Sequence, residues 1–452
     1  MSLDGNVQTD YTQKLFQNFK SIQGVLFGAL QSDETLSLTL NAEDTDFIRW
    51  NHGLIRQNTA VEQAQLGMTL MKGNKTHNST IPFYLDQTEL RKRALLALGM
   101  MRDQLNHIPE DPYQHSISNE GQSEEWTGTT GNVAEKVTDI RAAAEKHDTV
   151  GILCSGPVIS ATANSLGTFH WYCSHNFYFD YSIFNGHQAA TNLYAGQKWN
   201  HEQFNLGFQE TAASLKNLDR PRIDVKPGEY RTYIAPAGVY ELLDMMNWSS
   251  FSHSALLQGP HPLKRLSEGK ASLHPSITLR ENFNLGLAPR FNAEGKLSEP
   301  VVDMIKEGQF KSLLVNDKTH KEYNLPSNAA NEGENPRSLE MLGGNLKHAD
   351  ILKKLDTGLY LSNLHYLNWS DPESARFTGM TRYACFWVEK GQIKGPIQDL
   401  RFDESLYTIF GSALEALTEE TVVSPYTLTY ERRHLQGKKN PGLLTNSMRF
   451  TL

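Results

Sequence analysis

Cysteine is scarce in this chain, which has three among its 452 residues: Cys154, Cys173 and Cys385. So few thiols argue against a disulfide framework and favour a reducing compartment. The first residues, MSLDGNVQTDYTQK, have no basic region followed by an apolar core, so we expect no signal peptide. No apolar run approaches the roughly 20 residues that a membrane-spanning helix needs. The sequence therefore predicts a cytoplasmic protein with no membrane partner.

Positive charge is also in deficit. Lysine and arginine total 43 against 51 aspartates and glutamates, which gives a net charge of −8. Nonspecific nucleic-acid binding needs clustered basic residues that displace counterions, so we expect no nucleic-acid partner. Three common motifs are missing as well: the phosphate-binding loop GxxxxGK[ST], the dinucleotide-binding GxGxxG after a strand, and the nucleophile elbow GxSxG. These absences exclude the best-known routes to nucleotide and serine-hydrolase chemistry.

What the chain does contain is a set of helical and hairpin patterns in separate runs. Apolar stripes at helical spacing predict helices over residues 11–27, 86–101, 133–146 and 202–215. Turn residues that interrupt β-rich runs predict hairpins at Asn51-His52-Gly53 and Lys72-Gly73-Asn74. Helices and antiparallel hairpins that are not interleaved favour the α+β class.

The length of the chain is enough for two domains, each with its own core. The stretch NLDRPRIDVKPG, at residues 217–228, has two prolines and a glycine and is the best candidate for a boundary. We therefore predict an N-terminal α+β domain over residues 1–218 and a β-rich C-terminal domain over residues 219–452. In the second domain we expect an exposed polar loop over residues 317–337 and a last helix over residues 403–417.

The stretch from Gly358 to Ile397 has the strongest β pattern in the second half. It predicts three strands, over residues 359–366, 380–389 and 392–397. Residues 368–372 are expected to form the first turn, because Pro372 cannot donate to a sheet ladder. Lys390-Gly391 is expected to form the second turn. We expect the apolar side chains of these strands, Trp387 among them, to be buried.

Two histidine-containing patterns were considered as metal sites. His201-Glu202 resembles the start of a zinc-protease helix, but Asn205 and Leu206 stand where the second histidine is needed, so a solvent-facing helix start is favoured. Cys173 and His175 share one face of a predicted strand, whereas His170 points to the other face. Only two ligands would converge there, so an aromatic strand is favoured over a metal site. Cys385 lies within a predicted strand, between Ala384 and Phe386, so we expect it to be a buried structural thiol.

The 358–397 block resembles the carboxy-terminal signature GLYV…N…G…S…FWIENGEI…PI of the TldD/PmbA family, whose members are also called modulators of DNA gyrase. Three other segments are similar to family motifs in the same order: ATANSLG at residues 161–167, KPGEY at residues 226–230 and RFNAEG at residues 290–295. In this family, the TldD branch is a zinc metalloprotease, and the TldE (PmbA) branch lacks the zinc motif.

The zinc motif HExxxH of the active branch follows a Gly-Val pair, which corresponds to Gly238-Val239 here. That register places Leu242, Leu243 and Asn247 where the first histidine, the glutamate and the second histidine would stand. A leucine has no lone pair for zinc. The carboxy-terminal tail also has no cysteine, which the active branch uses in a CGKxGQ-like segment. The resemblance therefore implies the TldE branch, with no catalytic and no metal-ligating residue in this chain.

For the fold, the resemblance implies a curved, partly barrel-like sheet in the C-terminal domain. For function, it implies a non-catalytic subunit of a zinc metalloprotease complex that trims or degrades small unfolded peptides. Zinc is then expected on a TldD-type partner, and this chain is expected to form a homodimer or a heterodimer. The residues expected to face a peptide cavity are Leu242, Leu243, Asn247, Asn363 and His365.

Two alternatives remain open at the level of the sequence. The chain could be an independent metal-dependent hydrolase whose site includes Cys173 and His175. It could instead be a homo-oligomeric peptide-binding protein with no protease partner. Zinc content separates the first from the subunit hypothesis, and co-purification with a TldD-type protein separates the second.

Overall fold

The computed structural model describes residues 10–129 and 131–451. Within these residues the first half of the chain forms a seven-stranded sheet of order β3-β2-β1-β5-β6-β4, with β7 also paired to β6. Its strands are β1 (Glu34–Asn51), β2 (Leu54–Lys72), β3 (Lys75–Pro82), β4 (Gln122–Thr127), β5 (Asp148–Asn164), β6 (Phe169–Asn185) and β7 (Gln188–Gly196). The helices are α1 (Asp10–Gly28), α2 (Gln87–Leu105), α3 (Val133–Ala144) and α4 (His201–Leu218). The four predicted helices and both predicted hairpins are confirmed.

Alternation along β1 gives the first sheet one apolar face and one polar face. Leu36, Leu38 and Leu40 are fully buried and belong to the core that includes α1 and α2. The residues between and after them, Ser37, Thr39, Asn41, Glu43 and Thr45, point to the opposite face. The polar face is covered by loops from the second half of the chain, so the space between the two halves is lined largely by hydroxyl and amide groups.

The second half forms a mixed sheet of thirteen strands within the described residues, and this sheet does not close into a barrel. Its strands are β8 (Gly228–Ile234), β9 (Leu279–Asn282), β10 (Val301–Lys306), β11 (Gln309–Phe310), β12 (Ser338–Met341), β13 (Gly358–Leu361), β14 (Asn363–Asp371), β15 (Arg376–Arg382), β16 (Phe386–Glu389), β17 (Gln392–Pro396), β18 (Arg401–Ser405), β19 (Leu414–Pro425) and β20 (Gly437–Phe450). Its helices are α5 (Pro236–Met246), α6 (His253–Gln258), α7 (Lys264–Ser267), α8 (Asp317–Tyr323) and α9 (Ile351–Leu355). The predicted α+β class is thus confirmed.

The last strand, β20, organises this sheet, because it pairs with β8, β12, β18 and β19. The 358–397 block is instead divided between two regions. Its strands β14 and β15 pair with each other, whereas β16 pairs with β13 and β17. Trp387 is half-buried against the main apolar cluster of the second half and packs edge-to-face on Tyr230, with 5.9 Å between ring centres.

Three local predictions in the second half were wrong. The predicted helix over residues 403–417 is the end of β18, a short π-helical turn at Thr408–Ser412 and the start of β19. The predicted turn over residues 368–372 begins later, since β14 continues to Asp371. Residues 317–337 are not a plain exposed loop: they begin with α8, and the carboxylates of Asp317 and Glu334 are buried.

No helix of the described residues is long and apolar enough to cross a bilayer.

Candidate functional site

Helix α5 is the element on which the zinc-motif register falls. It follows β8 directly, and Pro236 stands in its first turn, where a missing N–H is tolerated. The helix lies against β14 and β20. A Cβ atom on Gly238 would stand 2.6 Å from Cγ2 of Ile234 and 3.3 Å from Cγ of Leu364, so glycine allows the helix to approach the sheet closely.

The first two positions of the zinc-motif register face the core. Leu242 and Leu243 are both 0% exposed and belong to the main apolar cluster of the second half. Asn247 follows the last turn of α5, and its side-chain oxygen is buried with no hydrogen-bond partner among the described residues. Two aliphatic side chains offer zinc no ligand, so the residues at this position do not fit the metal.

Asn363 and His365 lie on β14, away from the core face of α5. The hydroxyl of Thr191 on β7 donates to Oδ1 of Asn363 at 3.5 Å, which is a contact between the two sheets. His365 stacks on Tyr366, whose side chain is 79% exposed, with 4.4 Å between the ring centres. The five residues predicted to face a peptide cavity therefore lie in the core, at the end of α5 and along β14. Their role in holding a peptide stays a prediction.

A polar cluster that the sequence analysis missed lies on the opposite face of α5. Lys438 of β20 forms an ion pair with Asp244, and its Nζ lies 3.9 Å from the centre of the Tyr240 ring. One turn earlier, burial and the nearby charge of Asp244 raise the pKa of Glu241 to about 7. Carboxylates at i and i+3 on a helix share a face, and that spacing in the sequence was the available signal.

The connection between β19 and β20 is a long loop, residues 426–436, which we call the β19–β20 loop. The backbone N–H of Tyr426 donates to the carbonyl of Gln436 at 2.9 Å and closes the base of this loop. Beyond its base the loop reaches the polar face of the first sheet, where the hydroxyl of Tyr178 donates to the carbonyl of Thr427 at 3.2 Å. The β19–β20 loop therefore enters the space between the two sheets.

Arg433 anchors the β19–β20 loop to the first sheet. Its guanidinium donates to the hydroxyl of Thr45 and the carbonyl of Gly156, both at 3.3 Å, and to the side-chain and backbone oxygens of Asn176. The side chain is 5% exposed. Burial lowers its pKa from the ordinary arginine value. The acceptors of the guanidinium are all neutral, whereas the backbone N–H of Arg433 donates to a carboxylate oxygen of the buried Glu43 at 3.2 Å.

Cavities border the β19–β20 loop within the described part of the chain. The largest of those that border the loop, about 400 Å³, lies between the first sheet and the loops of the second half, and we call it the inter-sheet cavity. Neighbouring cavities of about 240 Å³ and 260 Å³ also include Arg433 in their lining. The inter-sheet cavity is lined by strand residues Thr39, Asn41, Ser160 and Thr162, by Asn292 and Asn331 of the covering loops, and by Arg337, Arg432, Arg433 and His434. A cavity of this size at the junction of two sheets is a candidate binding site.

Of the side chains considered as metal ligands, His170 and Cys173 are buried in the first sheet. Both ring nitrogens of His170 are hydrogen-bonded, Nδ1 with Ser123 at 2.7 Å and Nε2 with the carbonyl of Gly295 at 2.9 Å. Cys173 is 0% exposed, and burial raises the pKa of its thiol to about 12. His201 is exposed and contacts Asp139 at 2.9 Å. Among residues 10–129 and 131–451, no group of three or more histidine, cysteine or acidic side chains is arranged to hold a metal ion.

Solved structures with the same fold cover nearly the whole chain. A candidate modulator of a DNA gyrase from Thermotoga maritima is 15% identical, with 96% of this chain and 100% of that chain covered and a TM-score of 0.75. TldE from Thermococcus kodakarensis is 14% identical, with coverage of 97% and 100% and a TM-score of 0.75. A candidate modulator of DNA gyrase from Bacteroides thetaiotaomicron is 15% identical, with coverage of 98% and 99% and the same TM-score of 0.75. At these identities the likeness establishes the fold.

The sequence itself matches one family model. Residues 227–451 match the model described as the PmbA/TldA metallopeptidase C-terminal domain. No curated protein matches the chain significantly. The matched region contains α5, β20 and the β19–β20 loop, and so it contains both the zinc-motif position and one wall of the inter-sheet cavity. With this match and the shared fold, the chain belongs to the TldD/PmbA family.

Proposed function

We propose that this chain is a non-catalytic, TldE-like subunit of a cytoplasmic zinc metalloprotease complex that trims or degrades small unfolded peptides. The observation that carries the proposal is the complete burial of Leu242 and Leu243 at the zinc-motif position. An active subunit needs an imidazole and a carboxylate there, both open to the metal and to water. Zinc and the catalytic residues are therefore expected on a TldD-type partner.

The contribution of this chain would be to bind and orient the peptide. The inter-sheet cavity offers hydroxyl and amide groups from two neighbouring strands, which can exchange hydrogen bonds with an extended backbone. Such a cavity excludes folded proteins by its size, because about 400 Å³ accommodates only a short segment of chain. This selection fits a protease complex that acts on small, unfolded substrates.

The test is reconstitution with a TldD-type protein from the same cell. We expect the two chains to co-elute in size-exclusion chromatography and the mixture to cleave an unfolded peptide, whereas this chain alone cleaves none. Elemental analysis of the isolated complex should assign the zinc to the partner. Separate elution, with partner activity unchanged by this chain, would contradict the subunit proposal and leave the peptide-binding alternative.

A further inference from the structure

The lining of the inter-sheet cavity carries positive charge in a protein whose net charge is −8. Arg337, Arg432 and Arg433 line it together with His434, and the described lining includes no carboxylate. Such a concentration of cations in one cavity indicates that its natural occupant carries negative charge. How much of this charge a ligand can use depends on whether each arginine is already paired with an acidic side chain.

Arg337 is already neutralised. Its Nε lies 3.7 Å from a carboxylate oxygen of Glu281, whose side chain is buried, and the side chain of Arg337 itself is 12% exposed. Its Nη1 donates to the carbonyl of Phe291 at 2.6 Å. This arginine therefore builds the wall of the cavity, and its charge is not available to a ligand.

Arg432 and Arg433 differ from Arg337, because neither forms a salt bridge with an acid of the described residues. Arg432 donates from Nη1 to the side-chain oxygen of Gln65 at 3.1 Å, and its Nε and Nη2 donate to no described residue. The Nε–H of Arg433 is likewise without an acceptor there. The buried carboxylate of Glu43 lies near Arg433, but it accepts from the backbone N–H of that residue and not from its guanidinium. An anion that accepts from the unused donors of the two guanidinium groups would therefore still be stabilised.

The floor of the cavity adds neutral groups. Asn41 of β1 pairs with Ser160 of β5, and Thr39 pairs with Thr162, so the four side chains form two adjacent cross-strand pairs. The Thr162 hydroxyl donates to the carbonyl of Ala293 at 3.1 Å, whereas the side chains of Thr39, Asn41 and Ser160 bond to no described residue. These three groups are free to bind the amides of a peptide.

We propose that the inter-sheet cavity recognises a carboxylate of a short peptide, with Arg432 and Arg433 as its cationic partners and the strand side chains as partners of the peptide backbone. Arginine suits a carboxylate because its donors match the two oxygens. The inference rests on the proposed function for the choice of a peptide as ligand, and it adds which group of the peptide is recognised. The carboxylate is either the carboxy terminus or an acidic side chain.

The experiment is isothermal titration of the isolated chain with three peptides. Trialanine has a free terminal carboxylate, trialanine amide lacks it, and Ala-Glu-Ala amide has an acidic side chain instead. We expect trialanine to bind at least about tenfold more tightly than its amide, as a charge-assisted hydrogen bond in a buried site gives. If Ala-Glu-Ala amide binds as tightly as trialanine, an acidic side chain is sufficient for recognition. If Ala-Glu-Ala amide binds weakly, the recognised group is the carboxy terminus.

Substitutions test whether the arginines cause the preference for a peptide with a free carboxylate. Arg432→Gln should bring the affinities for trialanine and its amide together, whereas Arg449→Gln, an exposed arginine on β20, should leave the ratio unchanged. Equal binding of all three peptides to the native chain, absence of binding, or an unchanged ratio in Arg432→Gln would overturn the inference. Since no partner is present, this result is independent of the reconstitution that tests the subunit role.

Discussion

The guanidinium of Arg433 lies over the ring of Tyr178, with 5.5 Å between its central carbon and the ring centre. Tyr178 belongs to β6 of the first sheet, and Arg433 belongs to the β19–β20 loop of the second. A cation over an aromatic face is attracted to it, and here the attraction acts at a buried position. This pair, with the hydrogen bonds around it, fixes the loop that forms one wall of the inter-sheet cavity.

Arg433→Gln should destabilise the protein. The shorter side chain cannot reach Thr45, Gly156 and Asn176 together, so buried acceptors lose their donors. We expect the free energy of unfolding to fall by about 2–4 kcal/mol, measured by urea denaturation. The control Arg449→Gln removes the same charge at an exposed position and should change stability little. Equal midpoints for both variants would show that the loop is not anchored by Arg433.

Leu242→His should destabilise the chain without creating a zinc site. An imidazole at a 0% exposed position of the core would lack hydrogen-bond partners, at a cost of about 2–4 kcal/mol. Ala237→His places the same side chain on the exposed face of α5 and should be tolerated. Thermal unfolding with and without added zinc measures both effects. Zinc-dependent stabilisation of Leu242→His alone would argue against a core-facing position.

The chain purified without chelator should contain well under one equivalent of zinc, because the zinc-motif position is aliphatic and His170 has both nitrogens engaged. Elemental analysis and a peptide-cleavage assay check this expectation together. Stoichiometric zinc whose removal abolishes cleavage would support the independent hydrolase instead.

Glu241 should make stability depend on pH. Its folded pKa is raised to about 7, above the ordinary glutamate value of 4.5. Below the pKa of the unfolded state, Glu241 is protonated in both the folded and the unfolded protein, so its ionisation does not reduce the unfolding free energy. As pH rises through the folded pKa, ionisation favours the unfolded state, so the unfolding free energy falls by on the order of 1–3 kcal/mol.

Glu241→Gln removes this dependence. The variant should be more stable than the native chain at pH 8 and about equally stable near pH 4, as measured by denaturation over that range. The exposed Glu389→Gln serves as the control. If Glu241→Gln shifted stability equally at both ends of the range, its effect would not come from ionisation.

Thiol reactivity gives a simple check on the cysteines. Cys154, Cys173 and Cys385 are each buried, and burial raises the pKa of all three thiols. An aromatic disulfide reagent should therefore titrate less than one thiol in the native chain and three in denaturant. Rapid reaction of one thiol in the native state would restore the case for a functional Cys173.

Features of short range in the chain could be predicted from the sequence. The stripe Leu15, Phe19, Ile22 and Leu26 recurs every three or four residues, and all four side chains are buried on α1. The turn at His52-Gly53 needs backbone angles that glycine allows, so it could be placed from the residues alone. The zinc-motif position on α5 was accessible for the same reason, since its residues are neighbours in the chain.

The tertiary structure decided what depends on distant partners. Residues 403–417 have a helical pattern, but pairing with β15 and with β20 makes both ends of this stretch strand and leaves only a short helical turn between them. Arg433 drew no notice in the sequence, because its acceptors are 257 residues or more away in the chain. The inter-sheet cavity exists only where the polar face of β1 and β5 meets the β19–β20 loop. The pattern of residues within one strand or loop cannot predict this cavity, because the hydrogen bonds and burial at that junction depend on how the two sheets pack.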